Sequence, residues 1–227
     1  MTRPLRSIVF DLDGTLIDSA PVFVRILNAM LTERASRRRV TIADVRPFAS
    51  LGGPALVGGA LAEDCGDLTR AVEDFRARYR LFPTPPESLY AGVADGVRAL
   101  AALGFPLAIC SNKPQTLCEK IIADLDLGDC FPVIVGSSPD RAMKPAPDLL
   151  DLALARLGSA VAECLYVGDS EVDLALAETT GVRFALLTYG YASEPLSVGR
   201  HAAFDDFSDL VGWITAKAAC LPGRVLA

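Results

Sequence analysis

Asp11 and Asp13 stand two residues apart directly after the apolar run Ile8-Val9-Phe10, and Gly14 and Thr15 follow them. The run reads as the end of a buried strand. In extended backbone, residues at i and i+2 point the same way. Two carboxylates so placed repel unless a cation or a shared proton intervenes. Such a donor set suits a hard divalent cation, with Mg2+ the first choice. Gly14 permits a tight turn and Thr15 supplies a hydroxyl. A simple strand-ending turn would use the same residue types, so the chemistry depends on what the rest of the chain brings here.

Three further clusters can do chemistry. Ser111-Asn112-Lys113-Pro114 follows the apolar run Leu107–Cys110. It reads as a helix N-cap with proline in the first turn, a geometry that also offers a hydroxyl and amide groups to a phosphoryl anion. Lys144, one of four lysines, precedes Pro145 at the start of another helix, where an ammonium would neutralise a nucleophile and phosphoryl oxygens. Gly168-Asp169-Ser170-Glu171-Val172-Asp173 follows a third apolar run, and its two aspartates at i and i+4 share one helix face. Asp169 would bind a metal directly, while Asp173 orients its water or Lys144.

The elements that must position these groups fall into two rhythms. Val22, Phe23, Ile26, Leu27, Met30 and Leu31 recur at helical spacing after Pro21. Further helices are expected over 42–49, from the Leu51-Gly52-Gly53-Pro54 break to Leu61, and over 68–81, before Pro83, Pro85 and Pro86 stiffen the chain. No strand pattern appears between 20 and 85. Residues 17–87 hold ten Arg and nine acidic residues but neither Lys nor His. From residue 92 onward, short apolar runs near 107–110, 133–135, 165–167 and 183–187 alternate with helices near 95–103, 115–125, 147–157, 171–179 and 207–219. Apolar runs without alternation, separated by helices, indicate a parallel sheet covered on both faces. In such sheets ligands sit beyond the carboxyl ends of the strands, which is where all four clusters fall.

Bulk properties narrow the function. The chain has 227 residues, 51% of them hydrophobic, and a net charge of −6. That balance argues against a general nucleic-acid or membrane-surface binder. No apolar run approaches the ~18 residues of a membrane span. The N-terminal residues lead into the first strand without a leader pattern. The six cysteines form no Cys-x-x-Cys pair, as expected of a reduced, cytoplasmic protein without structural zinc.

Taken in order, Asp-x-Asp-Gly-Thr-Leu-x-Asp-Ser from Asp11, Ser-Asn-Lys from Ser111, Lys-Pro at Lys144 and Gly-Asp-x-x-x-Asp from Gly168 resemble the four motifs of the haloacid dehalogenase superfamily. The resemblance covers nearly the whole chain. It implies a Rossmann-like α/β core, residues 1–16 and 88–227, with a five-stranded parallel sheet of order 5-4-1-2-3. It also implies an all-helical cap, residues 17–87, that sets substrate specificity. Asp11 would be the nucleophile forming an aspartyl-phosphate, and Asp13 the general acid and base. Mg2+ would be held by Asp11, the Asp13 carbonyl and Asp169, with Asp173 behind them. Lys144, Ser111, Asn112 and Thr15 would hold the phosphoryl group.

The acid at Asp13 speaks against a dehalogenase, and a cap without Lys against a phosphonoacetaldehyde hydrolase or a β-phosphoglucomutase-like enzyme. Leu89-Tyr90-Ala91-Gly92-Val93, the Ser111–Pro114 stretch and Thr188-Tyr189-Gly190-Tyr191 are most similar to phosphoglycolate phosphatases. The expectation is a Mg2+-dependent phosphatase of a small phosphorylated metabolite, working as monomer or homodimer. A pyrophosphatase, a sugar-phosphate phosphatase or phosphomutase, and a non-catalytic phosphate-binding regulator stay open as alternatives. For a second anionic group on the substrate the cap offers only Arg, with Arg46 the first candidate and Arg25 the second.

Overall fold

The structure, a computed structural model, describes residues 4–199 and 201–219. Residues 1–3, the sequence's lead-in to the first strand, and Cys220 lie outside them. In chain order the elements begin with β1 (Ser7–Phe10), α1 (Ala20–Glu33), α2 (Ile42–Val45), α3 (Gly53–Leu61) and α4 (Leu68–Leu81). They continue with α5 (Val93–Ala102), β2 (Leu107–Pro114), α6 (Gln115–Asp124), β3 (Val133–Ser137) and α7 (Asp148–Leu157). β4 (Cys164–Gly168), α8 (Glu171–Thr180), β5 (Arg183–Leu187), β6 (Ala202–Phe204) and α9 (Phe207–Ala219) complete the described chain.

All strands run parallel in one sheet of order β3-β2-β1-β4-β5-β6. The sheet has six strands where five were expected in the order 5-4-1-2-3. The correction is β6, whose Ala202, Ala203 and Phe204 pair with Ala185, Leu186 and Leu187 at the edge. β1 to β5 keep the expected neighbours, the same succession viewed from the opposite edge. β6 is the short run Ala202-Ala203-Phe204, and its two alanines lack the β-branched and aromatic bulk that marks the other strands.

Alternation along each strand sorts the core into two faces. Ile8, Phe10, Leu107, Ile109, Leu165 and Val167 point to one side with residues of α5, α6 and α9. Val9, Ala108, Cys110, Cys164, Tyr166 and Phe184 point to the other, against Leu149, Leu150 and Ala153 of α7 and Leu176 of α8. Helices on both faces explain why the strands read as unbroken apolar runs. Phe10 is fully buried, with Phe131 edge-on at 6.1 Å and Phe207 at 6.0 Å between ring centroids. Such aromatic contacts contribute roughly 0.5–1.5 kcal/mol each, and they anchor the strand whose next residue is Asp11.

The segment between β1 and β2 is helical, and its buried positions follow the period seen in the sequence. Phe23, Ile26, Leu27, Met30 and Leu31 of α1 pack with Val72, Phe75 and Tyr79 of α4. Among the described residues no helix is long and apolar enough to cross a membrane. Cys65, Cys110, Cys118, Cys130 and Cys164 are free thiols.

Candidate active site

The four clusters meet at the carboxyl edge of the sheet. Asp11 leaves β1, Ser111 and Asn112 lie within β2, Lys144 enters the α7 region, and Asp169 leaves β4. All are buried, with Asp169 and Asp173 at 0% exposure and Asp11 at 2%.

Lys144 is the hub. Its ammonium sits 3.0 Å from Asp11 Oδ2 and 2.7 Å from Asp173 Oδ1, and donates to the Tyr166 hydroxyl at 2.9 Å. Tyr166 in turn donates to Asp173 Oδ1 at 2.7 Å. The other Asp173 oxygen accepts from the Ser170 hydroxyl and from the Asp169 and Ser170 amides. Asp173 therefore closes a capping box on α8 and at the same time fixes Lys144. Both of its oxygens are committed, so it positions Lys144 rather than offering a ligand.

Asp169 is held from two sides. Thr15 Oγ1 donates to Oδ1 at 2.7 Å, and the Tyr191 amide donates to Oδ2 at 2.7 Å. Gly14, at φ +84°, and Gly190 approach so closely that a Cβ on either would fall inside van der Waals contact of this carboxylate. The Thr15 hydroxyl, expected to hold phosphate, is thus spent on orienting Asp169.

Asp13 belongs to a separate network. Lys113 Nζ donates to its two oxygens at 2.7 and 2.8 Å, and the Ser19 hydroxyl donates to Oδ1. Lys113 is buried, with its charge 4.9 Å from the Phe23 ring and 4.6 Å from the Tyr79 ring. Ser19 does not cap α1; the Tyr191 hydroxyl accepts from the first helical amide, that of Ala20, at 3.0 Å instead.

Ser111 Oγ accepts a long 3.4 Å bond from the Lys113 amide, which leaves its own proton to be donated. Asn112 does not face an anion. Its side chain accepts from the Lys144 amide at 2.7 Å and donates to the Lys144 carbonyl at 3.1 Å, clamping that loop to β2. Arg46 donates to the Gly190 carbonyl and lies over the Tyr191 ring, beside the loop that holds Asp169. Arg25 is exposed and stacks on Phe82 at 4.7 Å, apart from these networks.

The electrostatics ask for a cation. Burial raises the Asp11 carboxyl to about 6 despite the pull of Lys144, with Asp173 and Asp13 adding repulsion. Burial, then Asp173 and Asp11, raise the Asp169 carboxyl well above the ordinary range. Asp173 goes the other way: burial pushes it up, but Lys144 and its hydrogen bonds outweigh this and hold it low. Burial pulls Lys144 down, and Asp11 and Asp173 more than restore it, so the ammonium stays charged.

One oxygen of Asp11, Oδ1, is buried without a hydrogen-bond partner among the described residues. Oxygens of Asp11, Asp169 and Asp173 lie within 4.8 Å of one another. An orphaned buried carboxylate oxygen beside a second under-neutralised carboxylate fits a hard divalent cation such as Mg2+. Asp11 Oδ1 accepts no hydrogen bond among the described residues and each Asp169 oxygen accepts a single one, against two and three at Asp173, so Asp11 and Asp169 keep lone pairs to give. The Asp13 side chain, taken by Lys113 and Ser19, is not in that cluster.

Beside Asp13 lies a cavity with about 30 Å3 of water-accessible space between the helical segment and the sheet. Its polar lining includes Asp13, Lys113, Arg76 and Tyr79; Phe23, Leu56, Phe75 and Leu117 supply apolar walls. Lys113, Ser19, Tyr166 and Arg76 were not singled out from the sequence. Only the Ser-Asn-Lys run gave any signal for Lys113, since its partner lies 100 residues away.

Comparisons with known proteins agree with this geometry. A family model described as haloacid dehalogenase-like hydrolase matches residues 5–181. A phosphoglycolate phosphatase of Cereibacter sphaeroides is 37% identical over 218 residues, covering 92% of this chain and 99% of that protein. One from Rhodospirillum rubrum is 35% identical over 222 residues, covering 92% and 90%. Among solved structures, a predicted phosphoglycolate phosphatase from Haemophilus somnus superposes with a TM-score of 0.81 at 24% identity, over 94% of this chain and 99% of that one. CbbY from Rhodobacter sphaeroides in complex with phosphate gives 0.72 at 22% identity, over 91% and 96%. Ordered acids at the carboxyl edge of the sheet and this breadth of similarity lead to one conclusion: the chain is an enzyme of the haloacid dehalogenase-like hydrolase family, similar to phosphoglycolate phosphatases.

Proposed function

We propose that the enzyme is a Mg2+-dependent phosphatase hydrolysing a small phosphomonoester of the phosphoglycolate type through an aspartyl-phosphate on Asp11. The observation that carries this reading is Asp11, whose Oδ1 is buried without a hydrogen-bond partner among the described residues and whose Oδ2 lies 3.0 Å from a charged Lys144. An Asp11 oxygen attacks phosphorus, a new P–O bond forms, and the ester P–O bond breaks. The leaving alkoxide takes a proton from Asp13. In the second half Asp13 takes a proton from water, whose oxygen attacks the same phosphorus. The bond to Asp11 breaks, and inorganic phosphate leaves.

Lys144 balances negative charge on Asp11 and the phosphoryl oxygens, and Ser111 donates to one of those oxygens. Asp13 accepts from Lys113 and Ser19, which hold its carboxyl in place for both proton transfers. When bound by Asp11 and Asp169, Mg2+ would offset the repulsion between carboxylate and phosphoryl group. The segment 17–87 serves as a cap over this edge of the sheet, excluding water and selecting the leaving group.

Phosphate release from a panel of small phosphate esters and pyrophosphate, with and without Mg2+, tests the reading. Metal-dependent turnover highest on 2-phosphoglycolate and abolished by Asp11→Asn is expected. Turnover that survives Asp11→Asn, or that prefers pyrophosphate or a hexose phosphate, overturns it.

A further inference from the structure

The cavity beside Asp13 has a composition that nothing in the catalytic scheme requires. Arg76 reaches it from α4, and its Nε is buried without a hydrogen-bond partner among the described residues. A buried guanidinium donor left unpaired is costly, so its retention calls for an acceptor that arrives from outside. Lys113 faces the same space with three donors, two of them turned to Asp13. Lys113 and Arg76 are cationic and Asp13 is the single acid of the lining, so the cavity carries more cationic than acidic groups.

Three features define the missing anion. The excess of cationic groups suits an anionic substituent on the leaving group. The space of about 30 Å3 compares with about 10–15 Å3 for one water, enough for a group of two or three heavy atoms. Phe23, Leu56, Phe75 and Leu117 offer no partners to hydroxyl groups and Tyr79 offers a single hydroxyl, so a polyhydroxy leaving group would bury most of its hydroxyls unsatisfied. Arg76 also lines an outer cleft of about 520 Å3 that includes Arg141, so an anion arriving from solvent meets the same guanidinium.

We propose that Arg76 and Lys113 form a subsite for a carboxylate on the leaving group, making the substrate a phosphomonoester whose small leaving group carries a carboxylate. The inference rests on the phosphatase reading above and assigns its selectivity to α4. Arg46 and Arg25, the cap arginines chosen from the sequence, do not line this cavity. Arg76 binds the carboxylate through its planar fork, and Lys113 bridges it to Asp13.

The test compares kcat/KM for 2-phosphoglycolate with that for ethyl phosphate, which keeps the two-carbon chain and lacks the carboxylate. The wild-type enzyme is expected to favour 2-phosphoglycolate, and Arg76→Ala to lower that preference about 30- to 100-fold. Arg76→Lys, which keeps the charge without the fork, falls between them. A ratio unmoved by Arg76→Ala, or both substrates falling in parallel, overturns the subsite. If the wild-type protein turns over neither ester, the phosphatase reading fails by itself. Calorimetric binding of 2-phosphoglycolate to Asp11→Asn, with and without Arg76→Ala, then decides the subsite. A Kd raised about 30-fold by the second substitution supports it, and an unchanged Kd overturns it.

Discussion

Asp11→Asn should stabilise the metal-free protein while abolishing turnover. The Asp11 carboxyl lies at about 6 in the folded chain against an ordinary 3.8, because burial and neighbouring acids outweigh Lys144. Between those values the folded chain holds a proton that the unfolded chain has released. Stability of the wild-type protein therefore falls as pH rises from about 4 to about 6, then levels off. At ~1.36 kcal/mol per pH unit the difference amounts to about 3 kcal/mol. For a chain of this size that corresponds to a Tm difference of about 6–12 °C. Asparagine keeps the shape and cannot ionise, so the variant escapes the loss. Thermal unfolding followed by circular dichroism, in chelator, across pH 4 to 8, is the assay. The two proteins should unfold at similar temperatures near pH 4 and diverge above pH 6, with the variant higher. Added Mg2+ at ~100 times its Kd should return about 2.7 kcal/mol to the wild type and little to the variant. A variant less stable than wild type at pH 8 without metal, or a gap that does not change with pH, refutes the reasoning.

Three other substitutions address separate supports of the site. Thr15→Val removes the hydroxyl that orients Asp169, and the Mg2+ concentration for half-maximal phosphate release should rise about 10- to 100-fold with the fold intact. Gly190→Ala drives a methyl group into the Asp169 carboxylate; Mg2+ binding by calorimetry should weaken at least about tenfold, and an unchanged affinity would show that the loop yields. Tyr166→Phe deletes the hydroxyl linking Lys144 to Asp173 and should cost about 1–1.5 kcal/mol, a Tm lower by about 2–6 °C in a thermal scan. No measurable change would mean that Lys144 and Asp173 hold each other without it.

What local sequence determined is what local geometry can express. The apolar runs at β1, β2, β3, β4 and β5 announced a sheet buried on both faces, because each is short and unalternating and helices separate them. The spacing of Phe23, Ile26, Leu27, Met30 and Leu31 marked the buried face of α1. The i, i+4 pair Asp169 and Asp173 was legible as one helix face, and Asp11 with Asp13 as one strand end.

Tertiary structure decided what each of these groups does. Asp11 and Asp13 look equivalent in sequence, yet Lys144 pairs with the first and Lys113 grips the second, across 133 and 100 residues respectively. Thr15 and Asn112, both expected to hold phosphate, are turned instead toward Asp169 and the Lys144 backbone. The ten arginines of the helical segment are indistinguishable by type. Only the packing of α4 against α1, α3 and α6 separates Arg76, in the cavity beside Asp13, from Arg25 on Phe82 and Arg46 on the Gly190 loop. A charge acquires its role from the partners within a few ångströms and from the water excluded around it, and both are set by contacts between residues far apart in the chain.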